Sequence, residues 1–162
     1  MAMTDPAIGM HSFQEALDDN VLDLTPGMVD QTVFVHLDYP DGVEPRWTYV
    51  RLETGKVTAF VNILVVEPVE GIPCFGIGYA VPEQFRNQGR AKELVGAAIE
   101  EMREGFGKAG MPEFFVEAII DQDNLASQHV ASATLSPDPV SVVDQLSGKP
   151  AFQYVRRLQT AG

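Results

Sequence analysis

The spacing of hydrophobic and polar positions changes period once along this chain, and that change organises its reading. "TVFVHL", "RWTYVRL", "VTAFVNILVV" and "CFGIGYAV" are apolar runs of strand length, rich in β-branched and aromatic residues. The turn-rich stretches "DYPDGVEP", "ETGK" and "EPVEGIP" separate them, so four strands in an antiparallel meander are expected, with "ETGK" as a hairpin. From Ala91 the period lengthens. Ala91, Leu94, Val95, Ala98, Met102 and Phe106 form one stripe at helical spacing, and Glu93, Glu100, Arg103 and Glu104 lie off it. The helix should end between Gly105 and Gly110. "EFFVEAII" follows as an apolar strand, residues 125–134 as a shorter helix, "SPDPVSVVDQLSGKP" as a long loop, and "AFQYVRRL" as a closing strand. Ahead of the meander, residues 12–24 are a short, poorly capped helical candidate closed by "TPG". A meander followed by helix, strand, helix, strand predicts an α/β fold, a mixed sheet with helices on its faces.

Length and charge narrow this picture. The 162 residues suit one domain over 1–162, because a chain of this size hides roughly 70% of its unfolded surface. Residues 1–30 form an abbreviated N-terminal segment of that domain, and 134–150 its long loop. "MAMTDPAIGM" has no cationic start followed by an apolar run, and "VTAFVNILVV" is too short to cross a bilayer. The single cysteine, Cys74, has no partner for an intramolecular disulfide. These features favour the cytoplasm and no membrane. A formal charge of -12 argues against nucleic-acid binding and suits a cationic partner. His11, His36 and His129 lie far apart without cysteines at ligand spacing, so no metal is expected.

The candidate chemistry gathers at the change of period. "RNQGRA" places Gly89 at the seam between an apolar strand and a helix, between Arg86 and Arg90. The first N–H groups of a helix have no intrahelical partner and carry the positive end of its dipole. A glycine there lets backbone approach a phosphate, which makes the seam an anion site; the rival reading is an entry turn with solvated arginines. Two other phosphate loops are excluded, because there is no G-x-x-x-x-G-K-S/T, and Gly76 and Gly78 do not continue into G-x-G-x-x-G. Those two glycines fall inside a strand, where they indicate a bulge or a close approach of backbone or ligand.

Arg86, Gly89 and Ala91 match the Arg/Gln-x-x-Gly-x-Gly/Ala motif, and "GYAVPEQFRNQGRA" resembles the strand, bulge and pyrophosphate loop of the GNAT N-acetyltransferases. "VEAIIDQDNLAS" is similar to the family's next strand and its N-x-x-S element, especially in the ribosomal-protein acetyltransferase branch, with Glu117, Asn124 and Ser127 in matching places. The resemblance covers about residues 47–133. It implies that the backbone N–H groups of Arg86, Asn87, Gln88, Gly89, Arg90 and Ala91 hold the pyrophosphate of acetyl-coenzyme A. The pantetheine would then lie between splayed strands against the backbone near Ala80 and Val81. Asn124 and Ser127 would contact its far side, although Asn124 is also a good helix N-cap and Ser127 an ordinary first-turn residue.

By strand alternation Phe114, Val116, Ala118 and Ile120 line one face, and Phe115, Glu117 and Ile119 the other, of a strand expected to be covered on both sides. A carboxylate among apolar neighbours is pushed towards neutrality, which fits a base that deprotonates an amine; ion pairing with an arginine is the rival reading. The resemblance has departures. The tyrosine that many members carry four residues after the serine is Ala131 here, and the usual K-x-G-F ending is absent. Ser132, His129, Tyr154 or water would have to protonate the leaving thiolate. The expectation is an acyltransferase that moves acetyl from acetyl-coenzyme A to a primary amine, either a cationic small molecule or a peptide N-terminus. The alternatives are a different acyl group, an alcohol acceptor, or a non-catalytic acyl-coenzyme A sensor. Exposed sheet edges leave a homodimer open.

Overall fold

The computed structural model describes residues 5–160. In chain order it contains α1 (Pro6–Asp18), β1 (Thr25–Pro26), β2 (Phe34–Asp38), β3 (Arg46–Glu53), β4 (Lys56–Val69), β5 (Ile72–Ala80), α2 (Arg90–Lys108), β6 (Glu113–Asp121), α3 (Leu125–Thr134), β7 (Val140–Val143) and β8 (Pro150–Gln159). The strands form one eight-stranded sheet in the order β1-β2-β3-β4-β5-β6-β8-β7. The expected meander is present as β2 to β5, antiparallel throughout. β6 joins β5 in parallel after the α2 crossover, and β8 returns antiparallel to β6.

Three expectations need correction. The first helix covers Pro6–Asp18 rather than 12–24, because Asp5 caps it by accepting from the Ala7 N–H at 2.9 Å and Pro6 fits the first turn without a missing bond. The "TPG" stretch does not close that helix; Thr25 and Pro26 pair with Val35 and Phe34 at the sheet edge. The supposed long loop contains β7, which pairs with β8 from Val140↔Gln153 to Val143↔Pro150. Three prolines and a glycine around a four-residue strand hide it in the sequence.

The sheet carries a core on each face. On one side α2 and α3 cover Tyr49, Val61, Ile63, Phe75, Ile77, Tyr79, Phe114, Val116, Ala118 and Tyr154. Phe75 stacks on Phe106 of α2 at 4.6 Å, and Trp47 and Phe114 meet this pair edge-on. On the other side α1 packs Met10 and Phe13 onto Val50, Val57 and Phe60. That cover does not extend over β6. Phe114, Val116, Ala118 and Ile120 are buried, but Glu117 is half-buried and Ile119 is 45% exposed, so β6 is not covered on both sides as expected. A single helix on that face is too short to reach across the whole sheet.

Candidate active site

The β5–β6 ladder sets the site's geometry. It has three residue pairs, Cys74↔Phe115, Phe75↔Val116 and Gly76↔Glu117. Beyond Gly76, β5 continues to Ala80 and β6 to Asp121 without pairing, so the two strands part and the β6-facing edge of β5 is left unpaired. β5 stays in regular register with β4 at Gly76 and Gly78, so the two glycines do not mark a bulge. They remove side chains from the strand beside the gap.

At the mouth of the gap the chain turns through a short 3-10 segment, Glu83–Phe85, into α2. Gly89 is the α2 N-cap in the left-handed region, with φ 73 and ψ 12, and no side chain caps the helix. A Cβ built on Gly89 would meet nothing within 4 Å, so the space above the seam is free. The Arg86 N–H closes the preceding turn on the Glu83 carbonyl, which removes it from the expected set of phosphate donors. From Asn87 through Gln88, Gly89, Arg90 and Ala91 to Lys92, the backbone N–H groups have no acceptor among the described residues. The donor run is therefore shifted one residue along the chain from the expected one. The Arg86 side chain donates from Nε to the Val81 carbonyl at 3.1 Å, tying the loop to the end of β5. Arg90 lies over the Phe85 ring at 4.9 Å and reaches Glu53 at 3.3 Å.

Across the gap, Asn124 caps α3 by accepting from the Ser127 N–H at 3.1 Å. The Ser127 carbonyl accepts from the Tyr79 hydroxyl at 2.5 Å. Sequence reasoning missed Tyr79, although "GIGYAV" places an aromatic hydroxyl on the strand beside the loop. Burial, reinforced by neighbouring Tyr154, holds its phenol above the ordinary tyrosine range. Ala131 is fully buried in the α2–α3 core and brings no hydroxyl. His129, Ser132 and Tyr154, the other proton-source candidates, share one cavity of about 230 Å³. By helical spacing His129 and Ser132 lie on the opposite side of α3 from Ser127 and Ala131.

Glu117 occupies the last paired position of the ladder, where the strands part, on the face away from α2 and α3. Its Oε1 accepts from Gln153 Nε2 at 3.1 Å, and its Oε2 faces Cys74 Sγ at 3.8 Å. Both partners are neutral, and no described arginine or lysine forms an ion pair with it. Burial, then the Glu117 charge, pushes the Cys74 thiol up to about 12, so this cysteine stays protonated and unreactive at neutral pH.

The arrangement is thus a parted strand pair, a free donor run at one end of the opening and a carboxylate at the other. Comparable solved structures include an acetyltransferase of the GNAT family from Streptococcus pneumoniae, at 13% identity over 70% of this chain and 66% of that one, TM-score 0.51. Ribosomal-protein-S5-alanine acetyltransferase from Vibrio fischeri matches at 13% identity over 71% and 62%, TM-score 0.51. A RimL ribosomal L7/L12 alpha-N-protein acetyltransferase matches at 20% identity over 72% and 72%, TM-score 0.51. Likeness at these identities shows the fold, and the chain spans about two thirds of the length of these proteins. No curated protein matches the chain. The acetyltransferase (GNAT) family itself is matched over residues 14–134, and the chain belongs to that family.

Proposed function

We propose that this protein transfers an acetyl group from acetyl-coenzyme A, the acyl donor of its family, to a primary amine that attacks directly in a ternary complex. One observation carries the proposal: the edge of β5 that is left unpaired beyond Gly76 and the free N–H groups of residues 87–92 border one opening, joined by a turn in which the Phe85 and Arg86 N–H groups are satisfied. When bound, acetyl-coenzyme A supplies the thioester carbon that the amine attacks. The residues present fit this molecule. The free N–H groups and the positive end of α2, with Arg86 and Arg90 beside them, take its pyrophosphate. The β5 edge near Ala80 and Val81 takes the pantetheine as an added strand would be taken. Asn124 and Ser127 border the far side.

Glu117 takes the proton that the amine must lose before attack, directly or through one water. Its neutral partners support this role, because no cation occupies the carboxylate. On the Ser127 side of the gap, the Tyr79 hydroxyl donates to the Ser127 carbonyl and ties the start of α3 to β5. Holding amine and thioester together supplies much of the rate. The net charge of -12 favours a cationic acceptor, a small amine or a peptide N-terminus.

The test is Glu117→Gln, which keeps the shape and removes the base. Turnover at pH 7 should fall by about 10²- to 10⁴-fold, with acetyl-coenzyme A affinity nearly unchanged and partial recovery at high pH. Wild-type turnover in the variant would make Glu117 structural.

A further inference from the structure

Away from the parted strands, a cavity of about 600 Å³ opens between the 23–28 segment, β2, β3 and the C-terminal half of α2. Its exposed lining includes Asp23, Met28 and Leu37, which form the mouth, and its buried lining includes Tyr49, Glu101 and Met102, which form the floor. Trp47 and Phe106 also line it, edge to face at 5.6 Å. The cavity lies on the α2 face of the sheet, opposite to the face of Glu117. Trp47 pairs with Ile63 of β4, Ile63 pairs with Ile77 of β5, and the adjacent Gly76 pairs with Glu117. Three strand spacings of about 4.8 Å each put Trp47 and Glu117 roughly 14 Å apart within the sheet. A small molecule held in this cavity therefore presents nothing to the acetyl-transfer site.

The floor holds a donor and an acceptor that the protein leaves unused. Tyr49 is 6% exposed, and its hydroxyl has no hydrogen-bond partner among the described residues. The described polar side-chain atoms that are both unpartnered and sealed from solvent are Arg51 Nε and Asn62 Oδ1. The Tyr49 hydroxyl is unpartnered but not sealed, so it opens into the cavity that its ring lines. Burial, then the charge of Glu101, holds the phenol above the ordinary tyrosine range, which keeps it a donor at neutral pH. Glu101 takes the Met28 N–H on Oε1 and the Val29 and Asp30 N–H groups on Oε2, so Oε1 keeps a lone pair. No described lysine or arginine forms an ion pair with Glu101, and none lines the cavity. With Asp23 at the mouth and Glu101 at the floor, the cavity repels anions and attracts cations.

We propose that this cavity is a second binding site, which takes an aromatic ammonium ion with a hydroxyl at the far end of its ring: a phenolic amine or its alkylated form. A hydroxyl matches both floor groups, since it accepts from Tyr49 and donates to Glu101 Oε1. The ring lies along Trp47 and Phe106, with the thioethers of Met28 and Met102 at its edges. The ammonium reaches the mouth, where the Asp23 carboxylate has no donor of its own among the described residues. There the Asp23 carbonyl meets His36 Nδ1 at 3.1 Å, which fastens this side of the mouth to β2. Gly105 keeps the opening clear, because a Cβ there would stand 3.4 Å from the Met28 methyl. The volume lies within the range of about 300–1,000 Å³ usual for sites that bury a small ligand, and the lining is of the usual kind, mostly apolar with a few placed polar groups. The site is independent of the acetyl-transfer reaction and of its acceptor.

The experiment titrates wild type, Tyr49→Phe and Gly105→Leu with trimethyltyramine by calorimetry. Its quaternary nitrogen has no N–H and cannot be acetylated. Hydroxyphenylpropionate, an anion, and phenethyltrimethylammonium, a cation without the hydroxyl, are the comparators. Wild type should bind trimethyltyramine with a Kd on the order of 1 mM or tighter, and the anion at least about 10-fold more weakly. Tyr49→Phe should weaken trimethyltyramine about 3- to 10-fold, the loss of one hydrogen bond, and leave phenethyltrimethylammonium unchanged. Gly105→Leu should weaken both cations at least about 10-fold by filling the mouth. It should not lower melting, because leucine is the better helix former. Acetyl-coenzyme A affinity should be unchanged in both variants. No binding of trimethyltyramine by wild type, or equal binding of the anion, would overturn the proposal. So would a trimethyltyramine affinity that neither variant alters, which would put the ligand elsewhere. If Gly105→Leu does not fold, the Tyr49→Phe comparison decides alone: a loss shared equally by the hydroxyl-free cation would overturn the pairing with Tyr49 and the ligand class with it.

Discussion

Two stretches of the described chain, the loop before β2 and the N-terminus of α2, each line up three or more consecutive backbone N–H groups without backbone acceptors, and one of the two meets a carboxylate of the protein's own. In the loop before β2, the N–H groups of Met28, Val29 and Asp30 donate to the carboxylate of Glu101, at 2.6, 2.7 and 3.0 Å. Glu101 lies in the middle of α2 and is 4% exposed. Gly27 is required by this contact, because a Cβ there would stand 2.5 Å from the Asp30 carbonyl and 2.8 Å from Glu101 Oε1. At the N-terminus of the same helix, residues 87–92 offer a longer run to which no described acceptor responds. Where the protein needs such donors for its own stability it buries a carboxylate against them. Where it leaves them facing free space, the proposed function supplies the anion from outside, as the pyrophosphate of acetyl-coenzyme A.

The contrast can be broken most severely at the open run. Gly89→Glu puts a carboxylate where the phosphates would sit, doing to this loop what Glu101 does to the other. Acetyl-coenzyme A affinity should fall at least about 100-fold by titration calorimetry, through like-charge repulsion and loss of the cradle. Gly89→Asn, which tolerates a positive φ, should retain affinity within about 10-fold. Unchanged binding in a folded Gly89→Glu protein would remove the pyrophosphate assignment.

Glu101→Gln attacks the closed run. The amide keeps the size but turns donors towards donors and leaves buried N–H groups unsatisfied, at about 1–3 kcal/mol. Melting should fall by roughly 5–10 °C, since one kcal/mol moves a domain of this size by about 2–4 °C. A thermal melt that matches wild type would mean the loop finds other partners.

The smallest effect belongs to α3, whose N-terminus is capped from within. Asn124→Ala should lower melting by about 2–4 °C, the loss of a cap worth about 1 kcal/mol. If capping is its whole role, acetyl-coenzyme A affinity should change by less than about 3-fold. A larger change would place Asn124 against the cofactor as well.

The strands of the meander and α2 could be read from the sequence because their cues are local. "ETGK" makes the hairpin between β3 and β4, and the stripe from Ala91 to Phe106 faces the sheet, as its period requires. α3 spans Leu125–Thr134 as expected, since Asn124 is a strong cap. The misplaced first helix was also a local matter, in which "DP" at Asp5 and Pro6 outweighed the apolar pattern that began later. β7 could not be read in this way: its four residues become a strand only because β8 offers an edge.

The sequence by itself determined the meander strands, α2, β6, α3 and β8, the glycine at the strand-to-helix seam and the carboxylate on β6, because each follows from side-chain type, backbone freedom or a period of two or 3.6 residues. Tertiary structure alone decided which groups meet. It set the three-pair ladder that leaves the edge of β5 unpaired, the single helix that leaves Glu117 half-buried, the reach of Tyr79 to Ser127, and the cavity that Tyr49 and Glu101 line together. Pairing across a sheet depends on register and on what covers each face, and both are set by residues far apart in the chain. An unsatisfied donor or acceptor can be recognised only once every possible partner has its place.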